Sequence, residues 1–159
     1  MKITRTGFIV RKQWITKVVS MFLIGLMFAF FSASSFAAGG VSTEASSEGI
    51  AQTAYSPDKG SGPVVIVLSG QMGPSSYQFY AEDLARLGYY SVLVDGNDML
   101  NSKQTGPANL RKTIERALKS PSAMKGKVAV IGFSLGGGGA LMHAANMPNL
   151  VSMVVAYYP

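Results

Sequence analysis

Cysteine is absent from all 159 residues. That excludes a disulfide framework, a thiol nucleophile and a thiolate metal site. Histidine occurs once, as His143, so a site built from several imidazoles is excluded too. Neither a metal nor a cofactor is expected. Charged residues are few: 14% of the chain, against 48% hydrophobic. A chain so apolar is able to bury a core and is not a disordered polyelectrolyte. The net charge of +6 points at nucleic acid, but its distribution removes that hint. Residues 1–37 hold Lys2, Arg5, Arg11, Lys12 and Lys17 and no acid. The remainder has nine bases against eight acids, a net of +1. A near-neutral body gives no reason to expect a nucleic-acid partner.

The basic start is followed by an apolar run, Val18 to Phe31, broken only by Ser20 and Gly25, and then by small residues from Ser32 to Ala38. Positive, apolar, small is the order of a secretory signal. Ser35 and Ala37 fit the small-x-small rule, so cleavage is expected after Ala37. About 14 apolar residues fall short of the roughly 20 that cross a bilayer comfortably. The rival reading is an uncleaved inner-membrane anchor. With no Arg-Arg pair before the apolar run, the general secretory route fits better than a twin-arginine one. The expected location is periplasmic or secreted, with membrane contact only in transit.

Residues 38–62 are rich in Gly, Ser, Thr and Ala. They read as a flexible lead-in, with a weak edge strand near Ile50–Tyr55. From Pro63 the pattern changes. Val64 to Leu68 is a continuous, mostly β-branched run, which suits a strand buried on both faces. Ser75 or Ser76 can cap a helix whose Tyr77, Tyr80, Ala81, Leu84 and Leu87 share a face, with Gly88 as its stop. Tyr89 to Val94 is the next strand. Pro107 suits the first turn of a helix striped by Leu110, Ile114, Ala117 and Leu118. Lys127 to Ile131 is a third strand. A further helix runs from Ser134 to about Met147, and Val151 to Tyr157 is a fourth strand. Strands alternating with helices predict an α/β fold: a mostly parallel sheet with helices on both faces.

Between the third strand and its helix stands Gly132-Phe133-Ser134-Leu135-Gly136. A G-x-S-x-G between a β-branched run and a helix reads as a nucleophile elbow, a tight turn that lifts a serine hydroxyl off the sheet edge. The amides at the helix start, beginning with Leu135, then face a developing oxyanion. The plainer reading is a glycine-rich turn with a capping serine.

With that turn on its third clear strand, the chain resembles the dienelactone hydrolase branch of the α/β-hydrolase superfamily. The matching segments are P-V-V-I-V-L-S-G, A-R-L-G-Y-Y-S-V-L-V-D, G-K-V-A-V-I-G-F-S-L-G-G and V-V-A-Y-Y-P, within residues 63–159. The resemblance implies ester or lactone cleavage through an acyl-serine on Ser134. It implies one oxyanion donor in the Leu135 amide and a second in the loop after the first strand, at the Gln71 amide. The implied partner is a small ester or lactone.

A serine needs a base, and the base needs an orienting acid. In this superfamily they follow the serine in chain order. After Ser134 there is no Asp or Glu, and the one histidine is nine residues along the same helix. At 1.5 Å per residue it lies about 13 Å away, too far for a hydrogen bond of roughly 3 Å. His143 is therefore expected to be structural, and Asp95, with no histidine to orient, to cap a turn. The chain is expected to be the N-terminal portion of a longer hydrolase, truncated after the strand that follows the Ser134 helix and inactive by itself. A non-catalytic binding module of the same fold is the main alternative. A peptidase or acyltransferase on that fold is another.

Overall fold

The computed structural model describes residues 41–44, 50–100 and 105–159, with side chains from residue 50 onward. The expected signal segment, 1–37, lies outside the described residues.

Six strands form one sheet in the order β1-β2-β4-β3-β5-β6. They are β1 (Val41–Glu44), β2 (Gln52–Tyr55), β3 (Val64–Leu68), β4 (Tyr90–Val94), β5 (Val128–Phe133) and β6 (Val151–Tyr157). The four strands β4, β3, β5 and β6 run parallel. β1 and β2 are antiparallel additions at the β4 side. All five residues of β3 and all five of β4 are buried, as continuous apolar runs between two covered faces should be.

The lead-in expectation is corrected here. Residues 41–44 and 52–55 belong to the sheet, and β2 is an inner strand. Ile50, Ala54 and Tyr55 are buried in it. The strand near Ile50–Tyr55 was expected at an edge; pairing with β1 on one side and β4 on the other places it inside the sheet.

One face of the sheet is covered by α3 (Thr105–Ala117) and α4 (Leu135–His143), with Met99 from the short α2 (Asn97–Leu100). Ile66, Leu68, Val92, Val94, Leu110, Ile114, Val128 and Val130 form that core. The opposite face is covered by α1 (Gln78–Arg86), through Ala81 and Ala85 against Val65, Val67 and Leu93. A 3-10 turn, Pro74–Tyr77, precedes α1, so neither Ser75 nor Ser76 is its cap. Proline opens that turn instead, where its missing amide costs nothing. α4 ends at His143 and passes through a second 3-10 turn, Ala144–Asn146, before Met147. Among the described residues no helix is long and apolar enough to cross a membrane.

Candidate functional site

β5 delivers its last residues to the carboxyl edge of the sheet, the edge where open α/β sheets bind ligands. The chain then turns into α4 within one residue. That residue is Ser134, at φ 49° and ψ −118°. A positive φ in a non-glycine residue costs on the order of 1–3 kcal/mol and persists only where the surroundings enforce it. Two features enforce it here. The Ser134 amide donates to the Tyr157 carbonyl at 2.7 Å, and the Ser134 carbonyl accepts from the Gly138 amide at 3.0 Å. The turn is thus bonded to the neighbouring strand on one side and to its own helix on the other.

Its two glycines are required by close approach. A methyl group at Gly132 would overlap the carbonyl of Gly136, and one at Gly136 would overlap the carbonyls of Leu68 and Ser69. The helix start therefore lies directly on the end of β3. Ser134 itself is exposed. Although it occupies the N-cap position, its side chain makes no capping hydrogen bond, so the plainer reading of a capping serine does not hold. The amides of the first turn, Leu135 among them, have no intrahelical acceptor.

The loop after β3 reaches the same place. The Gly73 amide closes it on the Gly70 carbonyl at 3.0 Å. A methyl group on Gly70 would collide with the Tyr77 phenol and stand 3.4 Å from the Phe133 carbonyl oxygen. Gln71, the next residue, is exposed. Ser69 fastens this loop to β4: its hydroxyl accepts from the Gly96 amide at 3.1 Å and donates to the Gly70 carbonyl at 3.1 Å.

Asp95 does what a turn residue does. Its Oδ1 accepts from the amide and the side chain of Asn97, at 2.9 and 2.8 Å, and so opens α2. The residue after Asp95, Gly96, lies against the serine turn: a methyl group there would overlap the Ser69 carbonyl and the Gly136 backbone. Asp98 is held above the ordinary carboxylate range, first by burial and second by the charge of Asp95. His143 is buried, with Nε2 2.9 Å from the Met99 carbonyl oxygen. It belongs to the packing of α4 on α2, nine residues from Ser134. Among the described residues no three of His, Cys, Asp or Glu gather as a metal would require.

Sequence reasoning missed the rings. Phe133 stacks between Tyr77, 4.7 Å away at 29°, and Tyr157, 5.1 Å away at 10°. Tyr80 meets Phe133 edge-on at 4.9 Å and 82°. Burial, and next to it the Tyr157 phenol, raise the Tyr80 hydroxyl above its usual value. Tyr77 and Tyr80 read as part of a helix stripe; only the fold brings them onto Phe133, itself paired with Tyr157.

Residues 96–159 match the model of the dienelactone hydrolase family. No curated protein matches the sequence. Among solved structures, m3DLH aligns with a TM-score of 0.64 at 20% identity, over 74% of this chain and 59% of that one. A putative dienelactone hydrolase from Klebsiella pneumoniae aligns at 0.60 and 20%, over 76% and 59%. Dienelactone hydrolase from Anabaena variabilis aligns at 0.57 and 22%, over 74% and 62%. The chain spans about three-fifths of the length of these structures. From the β4–α2 turn to its last residue it resembles the dienelactone hydrolase family, and its fold is that of the N-terminal portion of an α/β hydrolase.

Proposed function

We propose that Ser134 is the nucleophile of an exported hydrolase that cleaves esters or lactones through an acyl-serine. The observation that carries this reading is the conformation of Ser134: a strained, exposed serine at the sheet edge whose hydroxyl caps nothing. Strain of this kind persists at sites that use it. In the proposed step the serine oxygen attacks the carbonyl carbon, its proton passes to a base and the carbonyl oxygen takes the negative charge; collapse then restores the carbonyl, breaks the substrate C–O bond and releases the alcohol, which takes the proton from the base. The Leu135 and Gln71 amides are the proposed donors to that oxygen. One such donor is worth about 10²–10³ in rate in comparable enzymes.

The base is not His143, whose Nε2 is held at the Met99 carbonyl. On this reading the 159 residues alone turn over no substrate, and the general base and its orienting acid are contributed by residues outside them. The same observation favours a second reading, a non-catalytic binding module that holds a carbonyl ligand at the same edge.

Fluorophosphonate labelling of the natively expressed protein tests the first reading. Phosphonylation at Ser134, abolished in Ser134→Ala, is expected. A folded protein that binds carbonyl ligands while Ser134 stays unmodified would establish the second. Export is tested by N-terminal sequencing of the mature protein, with Ala38 expected first.

A further inference from the structure

One buried side chain joins the two backbone amides proposed to receive the substrate oxygen. Ser69 is fully buried. Its amide donates to the Val94 carbonyl at 3.0 Å, which ties the loop after β3 to the end of β4. Its carbonyl lies against the start of α4: a methyl group on Gly136, the residue after Leu135, would overlap it. Its hydroxyl accepts from the Gly96 amide and donates to the Gly70 carbonyl, each at 3.1 Å. Asp95 Oδ1 is a farther acceptor, at 3.4 Å, and already accepts twice from Asn97. A hydroxyl has one proton to give, and the nearer Gly70 carbonyl takes it.

The Gly70 carbonyl is one half of a peptide group whose other half is the Gln71 N–H. That group is planar and trans, so its carbonyl and its N–H point in opposite directions and turn together. Whatever fixes the Gly70 carbonyl therefore aims the Gln71 amide. Two donors fix it, the Ser69 hydroxyl and, at 3.0 Å, the Gly73 amide. Hydrogen bonds in a chain also polarise one another. Gly96 N–H, Ser69 O–H and the Gly70–Gln71 peptide form such a chain, donor to acceptor, and its free end is the Gln71 N–H.

We propose that Ser69 is a positioning residue for acyl transfer. Its hydroxyl aims and polarises the Gln71 amide, and its backbone seats that loop on the helix start that carries the Leu135 amide. Ser69 touches no reacting atom and acts through Gln71. This rests on the reading of Ser134 as nucleophile and Gln71 as donor, and adds the group that sets the second donor.

Inactivation kinetics of the natively expressed protein with a fluorophosphonate separate probe binding (KI) from phosphonylation of Ser134 (kinact). Ser69→Ala is expected to lower kinact about tenfold, a fraction of what a whole oxyanion donor is worth, and to leave KI within about twofold. Ser69→Thr keeps the hydroxyl and is expected to restore kinact. Ser69→Cys keeps the shape but donates weakly; it is expected to fall between, and it reads the relay even where the alanine variant does not fold. Ser91 is equally buried, and its hydroxyl has no partner among the described residues. Ser91→Ala is therefore expected to leave kinact unchanged. Wild-type kinact in Ser69→Cys or in a folded Ser69→Ala, a loss confined to KI, or an equal loss in Ser91→Ala overturns the proposal. A wild type that stays unlabelled at Ser134 overturns the nucleophile reading itself, and the role of Ser69 with it.

Discussion

Under α3 and α4, the sheet face carrying Ile66, Leu68, Val128 and Val130 is sealed, each of these residues at 0% exposure. On the other face, Ala81 and Ala85 of α1 pack on Val65, Val67 and Leu93, and β5 is only partly buried against that cluster. There Ala129, Ile131 and Val155 are half-buried and Met153 is 56% exposed. The two faces are drawn from equally apolar strands. Strand composition therefore states that a face can be buried, while the placement of a helix decides whether it is.

The comparison is sharpened most by truncating an isoleucine on each face. Ile66→Ala removes atoms from the sealed core and should cost about 4 kcal/mol, within the range for buried aliphatic truncations. Ile131→Ala, partly buried against the Val65 and Val67 cluster of the other face, should cost about 2 kcal/mol, the low end of the same range. Equal costs in urea denaturation would mean that the second face is covered in solution.

Next in size is the contact between the serine turn and β3. Gly136→Ala forces a methyl into the carbonyls of Leu68 and Ser69, and strand backbone cannot swing aside. About 3 kcal/mol is expected, the upper part of the overpacking range. Gly138→Ala, in the same helix with open space around it, should instead stabilise by up to about 1 kcal/mol through helix propensity. Thermal melts of the two variants check the contrast.

The smallest effect concerns charge near the sheet edge. Burial and Asp95 raise the Asp98 carboxyl. A carboxyl harder to ionise in the fold than in the unfolded chain favours the fold while protonated. That contribution is lost as pH rises through the raised value. Asp98→Asn should therefore melt slightly higher than the wild type at pH 7. The advantage should vanish below the ordinary carboxylate range, near pH 3. A variant that melts lower at pH 7 would break the account.

Much of this was legible in the residues. β3, β4, β5 and β6 were readable because their apolar runs are long and bounded by Gly, Pro or polar loops. Ser134 was readable because two glycines flank it in G-F-S-L-G. A turn role for Asp95 and a packing role for His143 were expected from chain order and helix rise, and their contacts with Asn97 and Met99 are of those kinds. The rest depended on pairing. β2 is held by a neighbour 36 or more positions along the chain, with Gln52↔Val94 and Tyr55↔Ser91, and no local pattern encodes such a partner.

By itself the sequence determined the alternation of strands and helices, the place of the sharp turn and the shortage of proton-transfer groups, because these are local patterns or simple counts. Only the tertiary structure decided that Ser134 caps nothing, that Tyr77, Phe133 and Tyr157 stack, and that α1 packs on Val65, Val67 and Leu93. Each of those is a contact between segments far apart in the chain, fixed by strand order and helix placement.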